Sequence, residues 1–227
     1  MIFVTGDTHI PIDISKLNTK NFPQQKALSK KDYVIILGDF GLLWSSVIDG
    51  EEKYWTKWLN EKKFTTIFVL GNHECYDRLK TYPVETWHNG KVRKISDSIY
   101  QLMNGEIFSI NNKSFFVMGG ANSVDKERRI EGISWWKEEI PSKEELEYGI
   151  SNLGKYNMKV DYILTHSAPY FIEEELFGNV EMNDLNTHFN SLYKIIDFER
   201  WWCGHYHENL ILRDNLETMY DKIMELV

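Results

Sequence analysis

Five short apolar runs, Ile2 to Val4, Tyr33 to Leu37, Ile67 to Leu70, Tyr162 to Leu164 and Trp201 to Cys203, each stop at a cluster of glycine and polar residues. Runs of this length, rich in β-branched and aromatic residues, predict buried strands, so the polar clusters project from strand ends. That is where α/β proteins assemble their sites. Helical spacing alternates with these runs. Glu51 to Lys62 puts Tyr54, Trp55, Trp58 and Leu59 on one face ahead of a strand at Thr65 to Leu70, which predicts a βαβ crossover. Ile107 to Ile110 and Ser114 to Met118 flank Asn111-Asn112-Lys113, a turn sequence suited to a hairpin. Ser142-Lys143-Glu144-Glu145 is a capping box and predicts a helix running toward Tyr156, before a strand near Val160. A further helical pattern around Leu185 to Ile196 precedes the fifth run, and the chain holds no internal repeat or low-complexity segment.

Composition narrows the picture. The chain has 227 residues, 42% of them hydrophobic and 14% aromatic, enough to bury a sizeable core, and no Pro/Ser/Gly-rich stretch divides it. One domain over residues 1–227 is expected. Lys plus Arg number 26 against 34 Asp plus Glu, a formal charge of −8, which argues against a surface built for long nucleic acids and leaves a small phosphorylated substrate open. Met1 leads straight into the first strand without the pattern of a signal peptide, and no apolar stretch is long enough to span a bilayer. A cytoplasmic protein without a membrane partner is expected. Cys75 and Cys203 belong to no metal-like pair and form no disulfide framework, which predicts reduced thiols in or near the core.

The candidate chemistry lies in the five clusters: Gly6-Asp7-Thr8-His9, Gly38-Asp39, Gly71-Asn72-His73-Glu74, Thr165-His166 and Gly204-His205-Tyr206-His207. Together they describe a two-metal hydrolase site. Two divalent cations about 3.5–4 Å apart need hard oxygen and borderline nitrogen donors, with one carboxylate reaching both ions. Asp39 is the natural bridge. Asp7 and His9 are expected to share an ion through a bend where the first strand stops. Gly6, Gly38, Gly71 and Gly204 suit such turns, because glycine tolerates unusual dihedrals and lets the backbone approach an ion closely. With the carboxylates of Asp7 and Asp39 against two dications, a net charge of about +2 is left to bind phosphate and acidify a shared water. A donor set of nitrogen and oxygen without thiolate favours Mn²⁺, Fe, Zn²⁺ or Ni²⁺ over Mg²⁺ or Ca²⁺, with Mn²⁺ the first choice.

In their order and spacing these blocks resemble the calcineurin-like metallophosphoesterases, and they cover residues 6–207. The stretches Gly119-Gly120-Ala121-Asn122-Ser123-Val124-Asp125-Lys126 and Ser134-Trp135-Trp136 look like those of small bacterial and phage members. The resemblance implies a four-layer α-β-β-α sandwich, two mixed β-sheets with flanking helices. It implies Asp7, His9, Asp39 and His207 around one metal and Asp39, Asn72, His166 and His205 around the other. His73 is similar to the family's histidine that contacts phosphate and protonates the leaving oxygen. The implied reaction is hydrolysis of a phosphomonoester or phosphodiester by a hydroxide bridging the two ions.

One departure from the family bears on substrate. The protein Ser/Thr phosphatase branch reads Gly-Asp-x-x-Asp-Arg-Gly, where the chain has Gly38-Asp39-Phe40-Gly41-Leu42-Leu43-Trp44. The Asp that orients the catalytic histidine and the Arg that grips phosphate are both missing, which disfavours a phosphoprotein phosphatase. Asp77 or a backbone carbonyl is then the candidate to orient His73, and Arg128 or Arg129 to clamp phosphate. Trp44 is a candidate to stack on a base or sugar. Trp55, Trp58, Trp201 and Trp202 are expected in the core, His88 and His188 as ordinary hydrogen-bonded histidines, and Lys91, Arg93 and Lys94 on an exposed strand face. Two alternatives share the fold. A nuclease-like enzyme acting on nucleic-acid ends would need a basic track, and a non-catalytic scaffold would have no use for His73.

Overall fold

In the computed structural model, which describes residues 1–226, the strands are β1 (Ile2–Thr5), β2 (Tyr33–Ile36), β3 (Thr65–Phe68), β4 (Val84–Trp87), β5 (Gly90–Ser96), β6 (Ile99–Leu102), β7 (Ile107–Ile110), β8 (Lys113–Met118), β9 (Lys159–Thr165), β10 (Asp197–Cys203), β11 (Ile211–Arg213), β12 (Leu216–Thr218) and β13 (Met224–Glu225). The helices are α1 (Gly50–Asn60), α2 (Tyr76–Leu79), α3 (Lys143–Lys155), α4 (Tyr170–Phe177) and α5 (Asp184–Ile195). They form a four-layer sandwich. One sheet has the order β13-β1-β2-β3-β6-β5-β4 and the other β11-β12-β10-β9-β8-β7. Each has a parallel centre, β1-β2-β3-β6 in the first and β12-β10-β9-β8 in the second, with antiparallel edges.

The period of two along a strand sorts the side chains into layers. Ile2, Val4, Ile35, Leu37, Ile67 and Val69 face Phe115, Val117, Tyr162, Leu164 and Trp202 across the two sheets. Their neighbours Phe3, Val34, Ile36 and Phe68 turn the other way, against Leu17, Phe22, Leu59 and Phe64. On the far side Phe116, Met118, Ile163, Trp201 and Cys203 pack against Leu153, Leu185, Phe189 and Leu192 of α3 and α5. Removing each of these large side chains from water stabilises the fold by about 1.5–3 kcal/mol. Strands apolar on both faces read as unbroken runs, which is why they stood out in the sequence.

Local signals set the element ends. The Asp49 carboxylate accepts the Glu52 N–H at 2.8 Å to start α1, and the capping box at Ser142 is closed in both directions, at 3.3 and 3.0 Å. A second box, Asn183 with Asn186, starts α5 and is an Asn-Asn version that a search for Glu or Gln passes over. The hairpin forms as expected, with Asn111 and Asn112 at φ of 52° and 61°. Tyr54 differs from expectation: it stays 60% exposed, edge-on to Trp55, so the buried face of α1 is narrower and Trp55 and Trp58 are half-buried. Of the basic residues on β5, Lys91 is exposed, but Arg93 and Lys94 are half-buried, Arg93 donating to Gln101 on the adjacent strand at 2.9 Å. Cys75 and Cys203 are buried free thiols. His88 lies between the Tyr33 hydroxyl and the Ser109 carbonyl, at 3.0 and 3.2 Å. His188, expected to be hydrogen-bonded, has a buried Nε2 without a partner, because it faces Leu146 and Ile150 in the groove between α3 and α5. No helix among the described residues is long and apolar enough to cross a membrane.

Candidate metal centre

Every cluster seen in the sequence leaves the C-terminal end of a parallel strand. Asp7 and His9 follow β1, Asp39 follows β2, Asn72 and His73 follow β3, His166 follows β9, and His205 and His207 follow β10. Three of these strands belong to one sheet and two to the other, so the sandwich itself brings the clusters together. The ligand atoms of Asp7, His9 and His207 lie within 4.8 Å of one another, and so do those of Asp39, His166 and His205. Asp39 touches both groups: its Oδ2 is 3.3 Å from His9 Nε2 and its Oδ1 is 3.3 Å from His166 Nε2. Asn72 Oδ1 lies 3.1 Å from His166 Nε2.

The backbone is strained where these side chains converge. His9, Asp39, His205 and His207 take φ of 33°, 47°, 73° and 52°, in the left-handed region that costs a non-glycine residue on the order of 1–3 kcal/mol. The expected bend after β1 is therefore made by His9 itself. Of the four glycines, only Gly38 has a positive φ, at 89°. Gly71 serves close approach, since a Cβ there would stand 2.1 Å from Asp39 Oδ1. The strain is held by neighbouring loops: the N–H groups of Thr8 and His9 both donate to the Asp39 carbonyl, at 3.1 and 2.9 Å. Glu74, fully buried, accepts from the N–H groups of Phe40 and Gly71, each at 2.8 Å, and so ties the loop after β2 to the loop after β3.

Hydrogen bonds from behind fix which atoms face inward. His166 Nδ1 donates to the Leu37 carbonyl at 2.6 Å and His9 Nδ1 to the Asp13 carboxylate at 2.9 Å, leaving both Nε2 atoms as inward donors to a cation. Asn72 Nδ2 donates to Ser123 Oγ at 3.0 Å, and that hydroxyl donates to Glu139 at 2.7 Å, which turns the amide oxygen toward the site. Asp7 Oδ2 is buried without a hydrogen bond, although His207 Nε2 is 3.2 Å away, so the two approach without the alignment of a donor and an acceptor. Lone pairs converging on a common point, backed by oriented rings, fit divalent cations. The Asp13 carboxylate, four residues after His9, was not picked out from the sequence. Its replacement by alanine is expected to lower affinity at the Asp7–His9–His207 group by roughly 10- to 100-fold, read by metal titration, and unchanged affinity would remove it from this role.

A family model described as calcineurin-like phosphoesterase matches residues 1–209. The chain belongs to this family. A search of curated protein sequences gave no match. Membership makes the chain a metal-dependent phosphoester hydrolase, and the two donor groups agree with the paired metals typical of the family. The segment beyond the match braces the end of β1 in this phosphoesterase, where the Tyr220 carbonyl accepts from Gly6 N–H at 3.2 Å and from the buried Lys16 ammonium at 2.6 Å. Lys16 also donates to the Asp7 carbonyl at 2.6 Å, and burial lowers its pKa to about 8.

Of the substrate candidates, Trp44 and Arg129 reach His73 while Arg128 is exposed on the same loop. The Trp44 and His73 rings are 5.1 Å apart and tilted by 30°. Arg129 Nη1 is 3.3 Å from His73 Nδ1, and its Nε is 2.8 Å from Asp125. Asp77, the expected partner of His73, instead accepts from the Trp136 indole at 3.1 Å, because its helix α2 turns it toward the loop that follows β8. Arg129 runs alongside both ring nitrogens, its Nη1 and Nη2 lying 3.3 and 3.5 Å from His73 Nδ1 and Nε2, and Nε2 is 3.8 Å from Asp39 Oδ2. Burial lowers the His73 pKa, the Asp39 charge opposes this, and the Arg129 charge adds to it.

Protons occupy the metal-free centre. Burial lowers the pKa of His9, but Asp39, Asp7 and Asp13 outweigh it and raise the value to about 8. His166 is raised in the same way against its own burial, chiefly by Asp39, whose carboxyl is held well below the carboxylate range. The stabilisation from protonated His9 is fully present below its ordinary 6.5 and is lost as pH rises through about 8. Metal uptake must displace such protons, so metal affinity should run the other way and increase with pH. Loading at pH 7 is expected to release protons, those of His9 and His166 together with any lost by the acidified water, measured by calorimetry in buffers of different ionisation enthalpy. Loading without proton release would contradict this.

Proposed function

We propose that the chain hydrolyses a phosphomonoester or phosphodiester of a small substrate with two divalent transition-metal ions, Mn²⁺ first among them. Asp7, His9, Asp39 and His207 would hold one ion, and Asp39, Asn72, His166 and His205 the other. The observation that carries the proposal is the position of Asp39, whose two oxygens each lie 3.3 Å from a histidine of a different donor group. When bound, the ions supply positive charge for the phosphate and acidify the attacking water. The chain's own groups do the rest. Asp39 holds the two donor groups in register, and Glu74 fixes the loops that carry Asp39 and Asn72. His73 borders the centre with its ring seated between Trp44 and Arg129, where as an imidazolium it would give a proton to the departing oxygen and return to the neutral ring.

The test is a screen of the Mn²⁺-loaded protein on an aryl phosphate, an aryl phosphodiester and a nucleotide. Turnover of one or more that stops on chelation and returns with metal supports the proposal, and no metal-dependent turnover on any of them overturns it. Phosphate grip is assigned to Arg129 and not to Arg128. Arg129→Ala is expected to lose about 1.5–3 kcal/mol of substrate interaction, roughly a ten- to hundredfold fall in kcat/KM, while Arg128→Ala stays near the parent. Equal effects at fixed metal occupancy would contradict the assignment.

A further inference from the structure

Beside the metal centre lies a cavity of about 600 Å³ that shares His205 with it. Its floor is Tyr206, whose hydroxyl donates to Glu173 and accepts from the Ala168 N–H, both at 2.7 Å. Glu173 in turn accepts from Asn186 at 2.9 Å, so the tyrosine ring is held by a buried network. Phe177 stacks on that ring, with centroids 5.5 Å apart and planes at 27°, yet remains 60% exposed. A large aromatic side chain in so open a position has a free face to offer. Val124, 93% exposed, and Val180 add apolar wall, and Asn179 adds an amide, while the Asn122 amide is taken up by Glu181 and Lys126 at 3.0 and 3.1 Å. Glu173 and Glu181 are the carboxylates of the lining, and no lysine or arginine lines it. Lys126 stands behind, 3.3 Å from Glu181 and engaged with it.

We infer that this cavity receives the non-transferred group of the substrate, and that this group is a flat, uncharged aromatic ring system stacked on Phe177. The inference rests on the phosphoester hydrolysis proposed for the metal centre. His205 sits at the boundary of both, so a phosphoryl group at the metals would have its substituent at the mouth of the cavity. The loop between β8 and α3 spans the two, with Asn122 and Val124 in the cavity wall and Arg129 against His73. Charge sets the selection. With Lys126 already paired to Glu181 and no lysine or arginine in the lining, a second phosphate or carboxylate on the substrate would find no cation there, whereas an uncharged ring needs none and gains the Phe177 face.

The test uses phosphonates, which cannot be hydrolysed, titrated calorimetrically into Mn²⁺-loaded protein of verified metal content. Benzylphosphonate is expected to bind roughly three- to tenfold more tightly than methylphosphonate, the range of an aromatic stacking contact. 2-Carboxyethylphosphonate is expected to bind no better than methylphosphonate. Phe177→Ala should bring benzylphosphonate down toward methylphosphonate, and Phe177→Tyr should restore the difference. If benzylphosphonate and methylphosphonate bind equally, or the carboxylate analogue binds most tightly, the aromatic subsite is wrong while the phosphoesterase proposal stands. If no phosphonate binds, both fall together.

Discussion

Asp39→Asn is expected to weaken both metal sites, each by more than roughly a hundredfold, and to abolish measurable turnover at ordinary metal concentrations. The reason is geometric: Asp39 is the carboxylate in reach of both donor groups, at 3.3 Å from His9 and 3.3 Å from His166. It also accepts from the N–H groups of Asn72 and His73, each at 2.9 Å, so the loop after β3 depends on the same oxygen. Asparagine keeps the shape but removes the charge that offsets two dications. Asp7→Asn should weaken mainly the ion near His9 and His207, since Asp7 Oδ2 approaches His207 Nε2 at 3.2 Å, while toward the second donor group Oδ1 accepts only the His205 backbone N–H, at 3.0 Å. Metal titrations of the two variants side by side check this. Selective loss of a single ion from Asp39→Asn would show that the carboxylate serves one site.

His73→Ala is expected to keep the metal content of the parent and to lower turnover by roughly 10²–10⁴-fold, the usual contribution of a positioned acid. His73 belongs to neither donor group, and its ring comes no nearer to the Asp39 carboxylate than 3.8 Å. Its nearest neighbours are Arg129 and Trp44, which seat the ring and do not compete for a cation. Substrates with very good leaving groups should lose less, because the departing oxygen then needs little protonation. Elemental analysis alongside kcat on a poor and a good leaving group separates the roles, and loss of metal in the variant would make His73 a ligand instead.

The strand-end clusters were legible because each apolar run stops abruptly, and the structure places the five runs as parallel neighbours within two sheets. Hydrophobic alternation could not show the sheet partition, since strands apolar on both faces read the same whichever sheet they join. Nor could it place β6 beside β3, a pairing made by long-range register between Thr66 and Ile99. In the centre, residue type and spacing pointed to the donors, but the groups that orient them were mostly hidden. Ser123 and Glu139, which turn Asn72, lie far along the chain from it, and Lys16, only nine residues from the Asp7 carbonyl it holds, reads in the sequence as an ordinary surface lysine. Asp13 did leave a local trace, four residues after His9, and Glu74 stood inside a recognised cluster. Left-handed backbone at His9, Asp39, His205 and His207 leaves none, because a residue's type does not report strain imposed by its neighbours.

Two ions are proposed to bind between Asp7, His9, Asp39, Asn72, His166, His205 and His207. The most direct test is elemental analysis of the full chain after Mn²⁺ reconstitution and removal of loosely held metal. A plateau at two Mn²⁺ per chain is expected, and a plateau at one or none would contradict paired binding.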